Sequence, residues 1–150
     1  MKKRICLWLL PLLLLSSGGC AKIKVTTPDG FAELAGRPEY RAISPEGVTY
    51  KVRLIPNYPP KELDFWGRAL KKHLADEGYR FLGEASFTAA GGEGLSFEWG
   101  APYGNEDYIY LTAILVKDKK IAIAEAAGEY KLFGRYREAL KASLASLTIH

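Results

Sequence analysis

Covalent chemistry needs a nucleophile beside a base, and this chain offers few of either. Its 150 residues hold two histidines, His73 and His150, and two cysteines, Cys6 and Cys20. No serine stands in a GxSxG turn, and no cysteine pair has metal-binding spacing. Neither GxxxxGK[ST] nor GxGxxG occurs, so no nucleotide cradle is expected. His73 has Asp76 and Glu77 three and four residues further on, the spacing that sets ligands on one helix face. A solvated helix surface produces that spacing just as readily, and it is read so here: no metal and no cofactor is expected. Gly91-Gly92-Glu93-Gly94 lies between two strand-like runs rather than before a helix, which makes it a hairpin turn.

The segment Gly100 to Asp107 has more to offer. It reads as a loop in which Tyr103 and Asn105 sit among Gly and Pro, followed by Glu106 and Asp107 and flanked by Trp99 and Tyr108. Exposed aromatics on a rigid rim suit a protein or glycan partner. Tyr103, Asn105, Glu106 and Asp107 would be its contacts. In the other reading Trp99 and Tyr108 belong to the core, and the rest is ordinary turn chemistry.

The elements that must position these residues follow from periodicity. Val48, Tyr50, Val52 and Leu54 alternate with Thr49, Lys51 and Arg53, the mark of a half-buried strand. Glu39 to Ile43 precedes it, and the turn Ser44-Pro45-Glu46-Gly47 makes the two a hairpin toward a sheet edge. Pro59-Pro60 ends the strand. A helix is predicted over Lys61 to Glu77, with Leu63, Trp66, Leu70 and Leu74 on one face and Gly78 at its C′ position. Strands follow at Tyr79 to Thr88, Gly94 to Trp99, Tyr108 to Val116 and Ile121 to Ala127, with Lys117 to Lys120 as a turn. A final helix spans Tyr130 to Leu147.

The strand Tyr108 to Val116 decides the architecture, because it is apolar on both sides. Ile109, Leu111, Ala113 and Leu115 share one face; Tyr108, Tyr110, Ile114 and Val116 share the other. Such a strand is buried twice, so helices must cover both faces of the sheet. The expectation is an α+β domain of order ββαββββα, a six-stranded, antiparallel-rich sheet in an α/β/α sandwich. That order, with the Ser44 to Gly47 hairpin, the helix ending at Gly78, the Tyr108 to Ala127 hairpin and the closing helix with Leu144, Ser146 and Leu147, resembles the PsbP-like fold. Photosystem II extrinsic proteins, a Ran-binding nuclear import factor and many bacterial exported proteins share it. These cues concern the fold, and no ligand or partner residue is carried over with them.

The N-terminus speaks to location. Met1-Lys2-Lys3-Arg4 is cationic, Ile5 to Leu15 is apolar, and Ser16, Ser17, Gly18 and Gly19 precede Cys20. Charge, apolar run and small residues in that order form a secretory signal peptide. The apolar run is about half the length of a membrane-spanning helix. The cysteine after the small residues resembles the lipobox of bacterial lipoproteins, with Ser17 where the family prefers an aliphatic residue. That resemblance implies removal of residues 1–19 and a diacylglyceryl group on Cys20, its new N-terminus acylated, typically with palmitate. A simple secreted protein is the alternative. Residues 20–30 would form the lipidated start and a short tether, and residues 31–150 a single domain. Ala21 lacks the aspartate of inner-membrane retention, so the resemblance implies the outer membrane, facing the periplasm, with the inner membrane as the other choice.

Charge excludes one class. The formal +4 includes Lys2, Lys3 and Arg4, and residues 21–150 carry 18 basic against 17 acidic side chains. No basic face for nucleic acid is expected. With Cys20 acylated, the domain has no thiol and no disulfide, and its stability rests on packing. The sequence therefore reads as a membrane-anchored, non-enzymatic binding or assembly module. The alternatives are an envelope-polymer hydrolase and a small-ligand carrier.

Overall fold

The computed structural model describes residues 22–103 and 106–150, with backbone alone at 102 and 103. In chain order the elements are β1 (Ile23–Lys24), β2 (Ala32–Glu33), β3 (Tyr40–Ile43), β4 (Thr49–Pro56), α1 (Leu63–Asp76), β5 (Arg80–Ala89), β6 (Gly92–Tyr103), β7 (Glu106–Lys117), β8 (Lys120–Glu129), α2 (Tyr130–Phe133), α3 (Arg137–Ala145) and β9 (Thr148–Ile149). The fold is α+β. The main sheet is antiparallel in the order β2-β3-β4-β8-β7-β6-β5, and β1 pairs with β9 in a separate ribbon.

Alternation in β7 and β8 sends two sets of side chains into two cores. Leu111, Ala113 and Leu115 join Ala122, Ala124 and Ala126, Tyr50 and Val52 beneath Phe133, Leu140, Leu144 and Leu147. The alanines of β8 let the closing helix approach the sheet. On the opposite face Phe97, Trp99, Ile114 and Ile121 meet Leu63, Trp66, Leu70 and Leu74 of α1. Each fully buried aliphatic or aromatic side chain contributes about 1.5–3 kcal/mol. Trp99 satisfies its indole N–H on the buried Thr112 hydroxyl at 3.1 Å, so its burial leaves no orphan donor.

The helix α1 stops where the glycine sits. Gly78 has φ +87°, its N–H donates to the Ala75 carbonyl, and the Tyr79 N–H donates to that of Leu74. This is a Schellman close, and it brings Tyr79 back onto the apolar core beside Leu74. At the other end of α1, the buried Asn57 ties three segments together. Its Nδ2 donates to the Lys61 and Asp118 carbonyls, while its Oδ1 accepts the Lys61 N–H and the Trp66 indole N–H.

Four sequence expectations are corrected. The main sheet has seven strands rather than six, because Ala32–Glu33 pairs with β3. The expected tether is largely built into the fold: Ile23–Lys24 pairs with β9, and the Ser143 hydroxyl donates to the Thr26 carbonyl at 2.6 Å. The segment Gly100 to Asp107 is mostly strand, with only residues 104 and 105 between β6 and β7. The closing helix is interrupted by a 3-10 turn at Gly134–Tyr136, where glycine is the poorest helix former short of proline.

Candidate functional site

The α1 face of the sheet is only half covered. The helix packs against β6 and β7 and reaches Ile121 and Ile123 of β8 and Ile55 of β4, while the rows of β3, β4 and β8 nearer Thr49 and Ala127 line a groove. Register places Arg41, Lys51, Glu125 and Thr112 in one row across that face, with Ile43, Thr49, Ala127 and Tyr110 in the next. The polar alternate positions of β4 thus point into an open trough. Its floor is a groove of ≈350 Å³ lined by Leu34, Arg41, Ile43, Lys51, Tyr110 and Glu125 among others. A second hollow of ≈590 Å³ adjoins it, sharing Tyr110 and Ala127 and walled by Tyr79 and Tyr108. Both volumes fall in the range of ligand clefts.

Tyr110 stands at the junction. Its ring meets that of Tyr79 at 5.4 Å between centroids, a geometry the Gly78 turn creates. Its hydroxyl donates to Glu125 Oε1 at 2.6 Å. The other oxygen, Oε2, takes Lys51 Nζ at 2.9 Å and Arg53 Nε at 3.3 Å. Burial pushes the Glu125 carboxyl upward, yet the Tyr110 hydroxyl, Lys51 and Arg53 outweigh it and hold the pKa below its ordinary value. Burial first, and then the Glu125 hydrogen bond, push the Tyr110 hydroxyl well above its ordinary value.

At neutral pH the cluster is therefore a carboxylate held between two cations and a protonated phenol. Its charges are satisfied, and its carboxylate serves no nucleophile. Lys51 has three N–H donors and Arg53 five, and Glu125 occupies one of each. The rest are left to bind.

The sequence-predicted residues fall elsewhere. Tyr103 is the last residue of β6, paired with Glu106, while Glu106 and Asp107 are exposed at the start of β7. Asn105 and Cys20 lie outside the described residues. His73, Asp76 and Glu77 are all exposed, and Asp76 pairs with Lys72 at 2.6 Å. Among the described residues no group of three or more His, Cys, Asp or Glu side chains gathers where a metal could sit. None of the described helices is long and apolar enough to cross a membrane. Sequence reasoning missed the trough, although the alternation of Thr49, Lys51 and Arg53 was its one visible signal.

No family model matches the chain, and no curated protein matches its sequence. Solved structures match its fold. LpqN of Mycobacterium tuberculosis, described as involved in cell envelope biogenesis, superposes with a TM-score of 0.64 at 16% identity, over 90% of this chain and 87% of that one. Cyanobacterial PsbP from Synechocystis gives 0.53 at 12% identity, over 91% and 99%. A protein of unknown function from Pseudomonas aeruginosa gives 0.54 at 9% identity, over 89% and 86%. The domain has the PsbP-like fold; identities this low speak to fold alone.

Proposed function

We propose that this chain is a non-enzymatic binding module of the bacterial cell envelope, held to a membrane through lipid on Cys20 and engaging an envelope protein or glycan. The observation that carries the reading is the open half of the sheet, where Lys51, Arg53 and Glu125 form a satisfied charge cluster beside three tyrosines. Rigid strands hold these groups in place, so a partner is bound without ordering a loop. The fold likeness to LpqN, whose description concerns cell envelope biogenesis, supports an envelope setting, as does the lipobox-like Ser16 to Cys20. Residues 1–19 act as the signal peptide, and the domain faces the periplasm from the outer membrane. Tyr103, Glu106 and Asp107, where β6 ends and β7 begins, together with Asn105 between them in sequence, form a second contact region.

The small-ligand carrier reading draws on the size of the hollow beside Tyr79 and Tyr108. The hydrolase reading has less support, since His73 is exposed on α1 and lines neither of the two hollows. The test is fractionation joined to envelope capture. The wild-type protein is expected in the membrane fraction and captures a defined partner after crosslinking. Cys20→Ala is expected in the soluble periplasmic fraction, still folded. Two acyl chains or more are needed for stable attachment, so a Cys20→Ala protein that resists a high-salt wash contradicts the anchor.

A further inference from the structure

Folding collects charge at the two ends of the sandwich in a way the linear sequence conceals. Lys22 exchanges backbone hydrogen bonds with His150. Lys117 Nζ donates to the Ile149 carbonyl at 3.0 Å. Asn57 joins the Lys119 carbonyl to the Lys61 carbonyl. These bonds bring Lys22, Lys24, Lys61, Lys117, Lys119 and Lys120 to one end, and all but Lys120 are exposed. Glu62, Glu93 and Asp118 share that end and leave it net basic. The ion pairs among the described residues use none of these six lysines.

The opposite end is acidic. Glu46, Asp76, Glu77, Glu106, Asp107 and Glu129 cluster there around the β3–β4 and β6–β7 turns and the close of α1, against Arg80, Lys131 and Arg135. A domain with nearly balanced total charge therefore carries a charge dipole along its strands. Cys20 lies two residues before Lys22, which is at most about 7 Å of chain. The basic end is thus the end from which a lipidated N-terminus emerges.

We infer that this lysine end is a docking surface for an anionic lipid leaflet, which orients the domain with its acidic end and the tyrosine-walled trough directed away from the bilayer. The inference rests on the anchor proposed above. An anionic surface attracts each nearby lysine by about fivefold in binding and repels the acidic end. The trough lies toward that far end, between Gly78, Thr49 and Ala127, so docking leaves it clear.

The acylated Cys20 leaves the rest of the processed chain free of thiols, which permits single-site labelling. Ala90→Cys places a fluorophore in the β5–β6 turn at the basic end, and Glu106→Cys places one at the acidic end. The processed protein is reconstituted in vesicles of phosphatidylcholine alone, or of phosphatidylcholine with equal phosphatidylglycerol, both carrying a headgroup quencher. In the anionic vesicles the label at 90 is expected to be quenched several-fold more than the label at 106. High salt, or the combined Lys22→Glu, Lys119→Glu and Lys120→Glu variant, should erase that difference. Equal quenching at both ends, or a difference that survives charge reversal, overturns the inference. The mass of the processed protein separates the two readings. An unmodified Cys20 removes the anchor, and partition of that same protein between the two vesicle types then decides the surface by itself. Equal partition refutes it.

Discussion

The Tyr110 hydroxyl donates to Glu125 at 2.6 Å, joining the aromatic wall of the trough to its charge cluster. Two partners fifteen residues apart in sequence are brought together by adjacent strands, and each changes the other's titration. Glu125 is held below its ordinary value of 4.5. A carboxyl with a lowered folded pKa contributes stability above its unfolded pKa, and loses it as pH falls through the folded value. Glu125→Gln should therefore flatten the acid limb of the stability curve below about pH 4.5. Urea unfolding across that range checks it; an acid limb identical to wild type contradicts it.

The alkaline limb belongs to tyrosines. Burial pushes the Tyr50 hydroxyl up to about 12, and Tyr110 rises as well. Groups raised in the folded state stabilise it below their unfolded pKa, and that contribution is lost as pH climbs from about 10 toward 12. Spectroscopic titration of tyrosinate should show late-ionising residues, Tyr50 and Tyr110 among them, with one fewer in Tyr50→Phe. Loss of stability over the same range should be smaller in that variant.

Asn57 is the joint between α1 and the β7–β8 turn. Asn57→Ala removes the acceptor of the Trp66 indole and of the Lys61 N–H, and frees two carbonyls. Stranding several polar groups in this way should cost about 3 kcal/mol. Trp66→Ala removes half-buried aromatic packing on the same joint and should cost about 3–5 kcal/mol. In a double-mutant cycle the two losses should fail to add by about 1 kcal/mol, since they share a bond. Full additivity in thermal or chemical melts would separate the residues.

At the β6–β7 tip, Tyr103→Ala should weaken capture of an envelope partner while leaving the melting temperature near wild type. A contact hot spot costs about 2 kcal/mol or more on truncation. His73→Ala should be silent in both measurements. An enzyme would reverse that order, because His73 is the one histidine within the domain apart from the C-terminal residue.

The large elements could be read from the sequence because they rest on dense, local signals. The double apolar pattern of β7 required helices on both faces, and Gly78 marked the end of α1. The two-residue strands β1, β2 and β9 carry no periodicity and escaped notice. Gly100 and Pro102 make the sequence of β6 look as though it stops at Trp99. Beyond Gly100, however, β6 has outrun β5 and keeps only β7 as a neighbour, and an edge tolerates proline. The trough depends on Lys51 and Arg53 meeting Glu125 across more than seventy residues of chain. No spacing rule reports such a meeting. The two charged ends likewise exist only once the termini and turns have been folded together.

The central claim is that the open sheet face binds a partner. Its most direct test is crosslinked capture from envelope membranes by wild type and by the Lys51→Glu, Arg53→Glu variant, with folding checked by melting curves. Both side chains are half-buried against Glu125, so the comparison is made with the variant shown by its melting curve to be folded. Its capture of the wild-type partner should fall by roughly tenfold or more, as expected when charge-assisted contacts are inverted. Undiminished capture by the folded variant would contradict the account.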